Sequence, residues 1–233
     1  MNLYETELIH DCLGDALRPG GLELTETALK YCSFSKEDYL LDLGCGLGST
    51  INYIKNNYDY SICGLDISDK LSSMARELNE NTEIYMCSAE NTLFEKNTFN
   101  GVLAECTLSL MDDTEKVIQE VSRILKNNGY FVISDIYARN TEFLNEFKGS
   151  SINTCLKNPF NIIELKKLLY KNGFSIKLEE MHDNLIIQTL ADIIFKGGTF
   201  EKLHINDNFR NLLIKSKLGY FLIVARKEEN YAK

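Results

Sequence analysis

Between residues 42 and 49 the chain reads Asp42-Leu43-Gly44-Cys45-Gly46-Leu47-Gly48-Ser49, an acid followed by glycines at alternate positions. Glycine tolerates positive φ and carries no Cβ, so such a run can turn sharply and bring backbone within contact distance of a ligand. A helix starting just after it turns its unpaired N–H groups toward the same ligand. A ligand-free strand-to-helix turn is the plainer alternative, but it does not need glycines in alternation. The spacing also separates ligands from one another. A dinucleotide fingerprint, G-x-G-x-x-G, places its last glycine at position 49, which here is Ser49. A second acid, Asp66, closes the run Ile62-Cys63-Gly64-Leu65-Asp66, eighteen residues beyond Gly48. An acid at the end of a second strand can accept both hydroxyls of a ribose; capping the helix that follows is its structural alternative.

These residues need a scaffold that gathers the ends of several strands. Short apolar runs alternate with amphipathic stretches along most of the chain, the pattern of parallel strands joined by crossover helices. Strands are expected at 39–43, 60–66, 83–87, 101–106, 130–136, 174–178 and 219–225, and helices at 47–56 and 69–79. Val117, Ile118, Val121, Ile124 and Leu125 recur at helical spacing behind the acidic cap Asp112-Asp113-Thr114. Asn127-Asn128-Gly129 is expected to stop that helix, with Gly129 left-handed. Pro159 and Asn161 open a further helix, which Asn172-Gly173 ends. Helical stretches at 185–195 and 208–216 fall between the last two strands.

Leu40 to Gly48 resembles the first motif of the class I S-adenosylmethionine-dependent methyltransferases, an aliphatic residue and Asp-x-Gly-Cys-Gly-x-Gly. Met86-Cys87-Ser88-Ala89-Glu90, residues 101–110 and residues 125–135 are similar to later segments of that family. Asn127 and Asn128 stand where the family has Pro and Gly. The likeness covers roughly residues 38–137. It implies an α/β fold, a doubly wound, mostly parallel seven-stranded sheet. An N-terminal helical cap (1–36), a cofactor-binding core (37–180), a helical insertion (181–217) and a last strand with its tail (218–233) then make one domain. It also implies S-adenosyl-L-methionine as cofactor, held by Asp42, Gly44, Cys45, Gly46, Gly48, Asp66, Ile67, Ser88, Ala89, Glu90 and Glu105, and in-line methyl transfer to a small-molecule acceptor. Arg18-Pro19-Gly20-Gly21, ahead of a helix to about residue 31, reads either as a flap over the cofactor or as an ordinary turn capped by Thr25. The insertion is expected to shape the acceptor pocket; a homodimer surface or extra core is the alternative.

Composition limits the partners. A formal charge of -9 disfavours a nucleic-acid partner, which needs clustered Lys and Arg. The seven cysteines lie far apart with no C-x-x-C pair, so neither a zinc site nor a disulfide framework is expected, and no metal. The N-terminus lacks a leader pattern and no run approaches the ~20 apolar residues that span a bilayer. A cytoplasmic location is therefore expected. No catalytic residue is assigned. Cys106, Cys12, Cys155, His10, His182 and His204 are weak candidates, and Asp11, Glu105 and Asp135 could orient an acceptor at the strand ends. Glu105-Cys106-Thr107-Leu108 occupies the place of an amino-methylating N-P-P-Y tetrapeptide. A nicotinamide-dependent oxidoreductase is disfavoured by Ser49. A non-catalytic S-adenosylmethionine-binding or regulatory protein, and an enzyme acting on protein or RNA, stay open.

Overall fold

The computed structural model describes residues 3–6, 16, 18–147, 154–196, 198–199, 202 and 205–229. Its apolar runs form one seven-stranded sheet: β1 (Tyr39–Leu43), β2 (Ser61–Asp66), β3 (Ile84–Met86), β4 (Phe99–Glu105), β5 (Leu125–Ala138), β6 (Phe174–Met181) and β7 (Leu218–Lys227). The spatial order is β3-β2-β1-β4-β5-β7-β6. β1 to β5 run parallel, and β7 lies antiparallel between β5 and β6. The order reverses between β1 and β4, where an open α/β sheet leaves a crevice beyond the carboxyl ends of its strands. Asp42, Asp66 and Glu105 all sit at those ends.

The helices of nine residues or more are α1 (Glu23–Cys32), α2 (Ser49–Asn57), α3 (Asp69–Leu78), α4 (Thr114–Ile124), α5 (Ile162–Lys171), α6 (Asp183–Phe195) and α7 (Asp207–Ser216). Side-chain caps set several of their starts. Ser68 Oγ accepts from Leu71 N on α3, Asp113 from Lys116 N on α4, and Asn161 from Ile163 N and Glu164 N on α5. Ser68 takes the capping role on α3, so Asp66 is not its cap. Val117, Ile118, Val121 and Ile124 of α4 are wholly buried against the sheet, as their spacing demands. α6 and α7 lie between β6 and β7 and pack into a second apolar cluster that runs from Ile186 and Phe209 to Leu24, Tyr220 and Cys106. No helix among the described residues is long and apolar enough to cross a membrane.

Two local expectations fail for physical reasons. α4 ends at Ile124 and β5 begins at once, because Leu125 pairs with Phe99 across an irregularity in β4. The left-handed residue of that connection is Asn128, at φ 65, and not Gly129. Gly129 is instead crowded: a Cβ there would lie 2.9 Å from the Asn100 carbonyl oxygen. Thr25 is no cap either. It lies inside α1, fully buried, with its hydroxyl engaged elsewhere, while the cap position belongs to Leu22.

Candidate functional site

A cleft of about 300 Å³ opens at the carboxyl ends of β1, β2 and β4. Of the residues singled out by the motifs, Asp42, Gly44, Cys45, Gly46, Asp66, Ile67, Ser88, Ala89, Glu90 and Glu105 all line it; Gly48 does not. The three glycines differ in what requires them. Gly44, Gly46 and Gly48 have φ of 77°, 53° and 79°, a region costly for any residue with a Cβ. A Cβ on Gly44 would lie 2.0 Å from Thr107 Oγ1, and one on Gly48 would lie 2.4 Å from Asn79 Nδ2. Nothing lies within 4 Å of a Cβ built on Gly46, so its missing side chain leaves room in the cleft itself. Gly48 begins α2, and its carbonyl accepts from Asn79 Nδ2 at 3.0 Å.

The turn's own amides are not the bare row that the motif suggests. Gly44 N and Cys45 N donate to the Leu65 carbonyl, Gly48 N to the Cys45 carbonyl, and Gly46 N to Asp66 Oδ2 at 2.9 Å. These bonds lock the turn against β2, so it contributes shape. Asp66 Oδ1 also accepts from Ser68 N at 2.8 Å. Burial raises its pKa, and the amides of Ser68 and Gly46 oppose that shift. Each carboxylate oxygen has further acceptor capacity.

Glu105 is the hub of the opposite wall. Its Oε1 accepts from Thr25 Oγ1 at 2.6 Å, and its Oε2 from Thr50 Oγ1 at 2.9 Å. Arg18 Nη2 lies 3.0 Å from Oε2 and donates to both threonine hydroxyls. The N-terminal segment, α1, α2 and β4 are thereby tied together at one buried point. Both oxygens of Glu105 are engaged within this network. Asp42 lies beside this network, 3% exposed, and no hydrogen bond reaches its side chain from the described residues. Burial pushes its carboxyl up to about 8; Glu105's negative charge adds to the shift and Arg18 opposes it.

The remaining wall is apolar and soft. Ile67 leaves 76% of its surface uncovered beside Asp66, and Leu71, Leu110 and Met111 line the same space. Ser88 Oγ accepts from Glu90 N at 3.2 Å, and Glu90 Oε1 accepts from Asp113 N at 3.2 Å, which holds the β3 end against the start of α4. At the far end Tyr4 reaches the cleft. Its hydroxyl accepts from Cys155 N at 3.0 Å and lies 3.9 Å from Cys106 Sγ. Burial pushes both the Tyr4 hydroxyl and the Cys106 thiol well up, so both stay protonated. Cys106 has φ 57, a strained conformation at the point where β4 meets the cleft.

Two candidates lie away from this chemistry. Asp135, wholly buried, accepts from Ser109 N at 3.0 Å, Ser109 Oγ at 2.7 Å and Ile136 N at 2.8 Å, and so pins the 3-10 turn Leu108–Leu110 that forms a cleft wall. His182 is engaged with Glu180 at 3.1 Å and does not line the cleft. His10, Asp11, Cys12 and His204 lie outside the described residues. No group of three or more His, Cys, Asp or Glu among the described residues is arranged to hold a metal ion. The contacts of Arg18 and Thr50 with Glu105, and the place of Tyr4 at the cleft, were not legible, because they join distant parts of the chain.

The chain is similar to known proteins in sequence and in fold. The family model described as "Methyltransferase domain" matches residues 41–133, the stretch that carries the glycine turn, Asp66 and Glu105. The chain is 25% identical to sarcosine/dimethylglycine N-methyltransferase of Halorhodospira halochloris over 105 residues, 42% of this chain and 38% of that protein. It is 28% identical to the uncharacterized methyltransferase YodH of Bacillus subtilis over 165 residues, 70% of this chain and 63% of that one. The matched stretches thus span less than two thirds of either relative. The structure of phosphoethanolamine N-methyltransferase 2 of Haemonchus contortus, solved in complex with S-adenosyl-L-methionine, superposes with a TM-score of 0.75 at 19% identity, covering 95% of this chain and 56% of that one. The motif, the sheet order and the methyltransferase domain matched over residues 41–133 together support a class I S-adenosylmethionine-dependent methyltransferase.

Proposed function

We propose that the protein methylates a small-molecule acceptor by in-line transfer. The observation that carries this reading is the junction of Gly46 and Asp66: an open space at the glycine beside an acid fixed by two backbone amides at the end of β2. The residues fit an adenosyl sulfonium. Asp66 has acceptor capacity for ribose hydroxyls, and the bare face of Ile67 offers an apolar surface to a purine. Gly44, Cys45 and Gly48 fix the turn, while Ser88, Ala89 and Glu90 close the β3 side.

When bound, S-adenosylmethionine supplies a methyl group on a good leaving group, so no obligatory base is required of the protein. The chain's own task is alignment and exclusion of water. Arg18, fixed by Glu105, holds the segment before α1 at the cleft, as a flap must; Tyr4 and Cys106 present protonated groups at the far end. The apolar cluster reaching Cys106 from α6 and α7 supports a part for residues 181–217 in shaping the acceptor side. The acidic total charge supports a small acceptor over nucleic acid, and the free thiols support a reducing, cytoplasmic setting.

The test is incubation with S-adenosylmethionine labelled in its methyl group and a panel of small amines, alcohols and thiols, with protein and RNA fractions in parallel. Label in a small molecule is the expected outcome. Label in protein or RNA would transfer the assignment to those acceptors, and binding without any transfer would favour a regulatory role.

A further inference from the structure

Two neighbouring residues near the amino end reach opposite rims of the cleft. Glu5 Oε1 accepts from Ser68 Oγ at 2.8 Å, and the Glu5 carbonyl accepts from Lys70 Nζ at 2.7 Å, both at the start of α3 on the β2 side. Tyr4 reaches the other rim. Its hydroxyl accepts from Cys155 N at 3.0 Å and lies 3.9 Å from Cys106 Sγ, just past the end of β4. β1 lies between β2 and β4 in the sheet, so the 3-10 turn Leu3–Glu5 joins rims about two strand spacings apart, ~10 Å. Tyr4, Asp66, Ile67 and Cys106 all line the cleft between those rims.

Neither rim depends on this strap. On the β2 side, Ser68 N donates to Asp66 Oδ1 and Ser68 Oγ accepts from Leu71 N. On the β4 side, Asn158 Nδ2 donates to the Ser109 carbonyl at 3.0 Å and Lys157 pairs with Asp112 at 3.1 Å, which fixes the turn Cys155–Lys157 without Tyr4. Lifting Leu3–Glu5 therefore breaks the strap's own contacts and leaves both walls bonded, the condition for a local opening that does not unfold the domain. Ser68 is the shared node: its amide serves Asp66 and its hydroxyl serves the strap. Burial raises the pKa of Asp66, and Glu5 stands near enough for its negative charge to add to that rise.

We propose that Leu3–Glu5 is a gate, latched by Glu5 on Ser68 and Lys70 and by Tyr4 on Cys155, which lifts each time a ligand enters or leaves the cleft. The inference rests on the cofactor assignment made above and adds to it what controls exchange of donor for product. A gate differs from a binding contact in its kinetics. Weakening a latch lowers the barrier to entry and to exit alike, so both rates rise and the affinity moves little. Losing a contact made to the ligand itself speeds exit alone.

Rapid filtration of the full chain with tritiated S-adenosylhomocysteine measures both rates. In Glu5→Ala and in Tyr4→Phe, association and dissociation should each quicken by about five- to tenfold, the scale of one lost hydrogen bond, while Kd stays within about threefold. Lys70→Met, which alters neither the strap nor the cleft lining, should quicken both rates by a smaller factor. Melting curves confirm that each variant folds. Unchanged rates in all three variants overturn the inference. So does a dissociation rate that rises alone, with Kd weakening in proportion, because Tyr4 and Glu5 would then be ligand contacts and not a gate. Absence of binding by the wild type would instead sink the cofactor assignment, and the inference with it.

Discussion

Arg18 and Glu105 meet at 3.0 Å with side chains only 7% and 2% exposed, joining the segment before α1 to the end of β4. A buried pair of this kind is costly to break from one side, because the surviving charge keeps its burial and loses its partner. Glu105→Leu should therefore lower stability by about 3 kcal/mol. Combining it with Arg18→Met should restore part of that loss. Urea denaturation of the two single variants and the double variant measures the coupling. Additive losses would mean that the pair is energetically idle.

The glycines of the turn predict a contrast. Gly44→Ala drives a methyl into Thr107 Oγ1 at positive φ, so it should destabilise the fold outright. Gly46→Ala meets only open space and should cost about 1 to 2 kcal/mol from its backbone conformation alone. It should still weaken S-adenosylhomocysteine binding, because its methyl fills part of the cleft. Thermal melts beside ligand titrations of both variants check this. A Gly46→Ala protein that melts early yet binds normally would place that glycine outside the site.

The glycine motif and the strand ends were readable because they depend on local spacing, and the sheet places Asp42, Asp66 and Glu105 where the alternation of elements puts them. The Arg18 contact was hidden because it depends on α1 folding back over β4, which no spacing within residues 18–25 reveals. Thr25 shows the limit most plainly. A threonine beside a glycine turn looks like a helix cap, yet tertiary packing carries it into the helix and gives its hydroxyl to Glu105. Asn128 shows the same effect: it takes the left-handed position, while Gly129 is the residue at which a Cβ would meet the Asn100 and Lys126 carbonyls.

Asp42 also predicts how stability depends on pH. Its carboxyl ordinarily titrates at 3.8 and is pushed up to about 8 in the fold. Between those values the unfolded chain binds fewer protons than the folded one, so stability falls as pH rises across that window. Asp135, pushed up to about 6, adds to the fall over the lower part of it. Asp42→Asn should flatten the profile between pH 6 and 8 while leaving the Asp135 contribution in place. Chemical denaturation at a series of pH values follows both, and a variant whose profile overlays the wild type would show that Asp42 is already charged in the folded protein.

The central claim is that the cleft beside Asp66 holds the adenosyl sulfonium cofactor, and calorimetric titration of S-adenosylhomocysteine into the wild type and Asp66→Ala tests it most directly. The account predicts saturable binding by the wild type and a loss of roughly 1.5 to 3 kcal/mol in the variant, the scale of hydrogen bonds to a charged group. Unchanged affinity in Asp66→Ala, or no binding by the wild type, would contradict it.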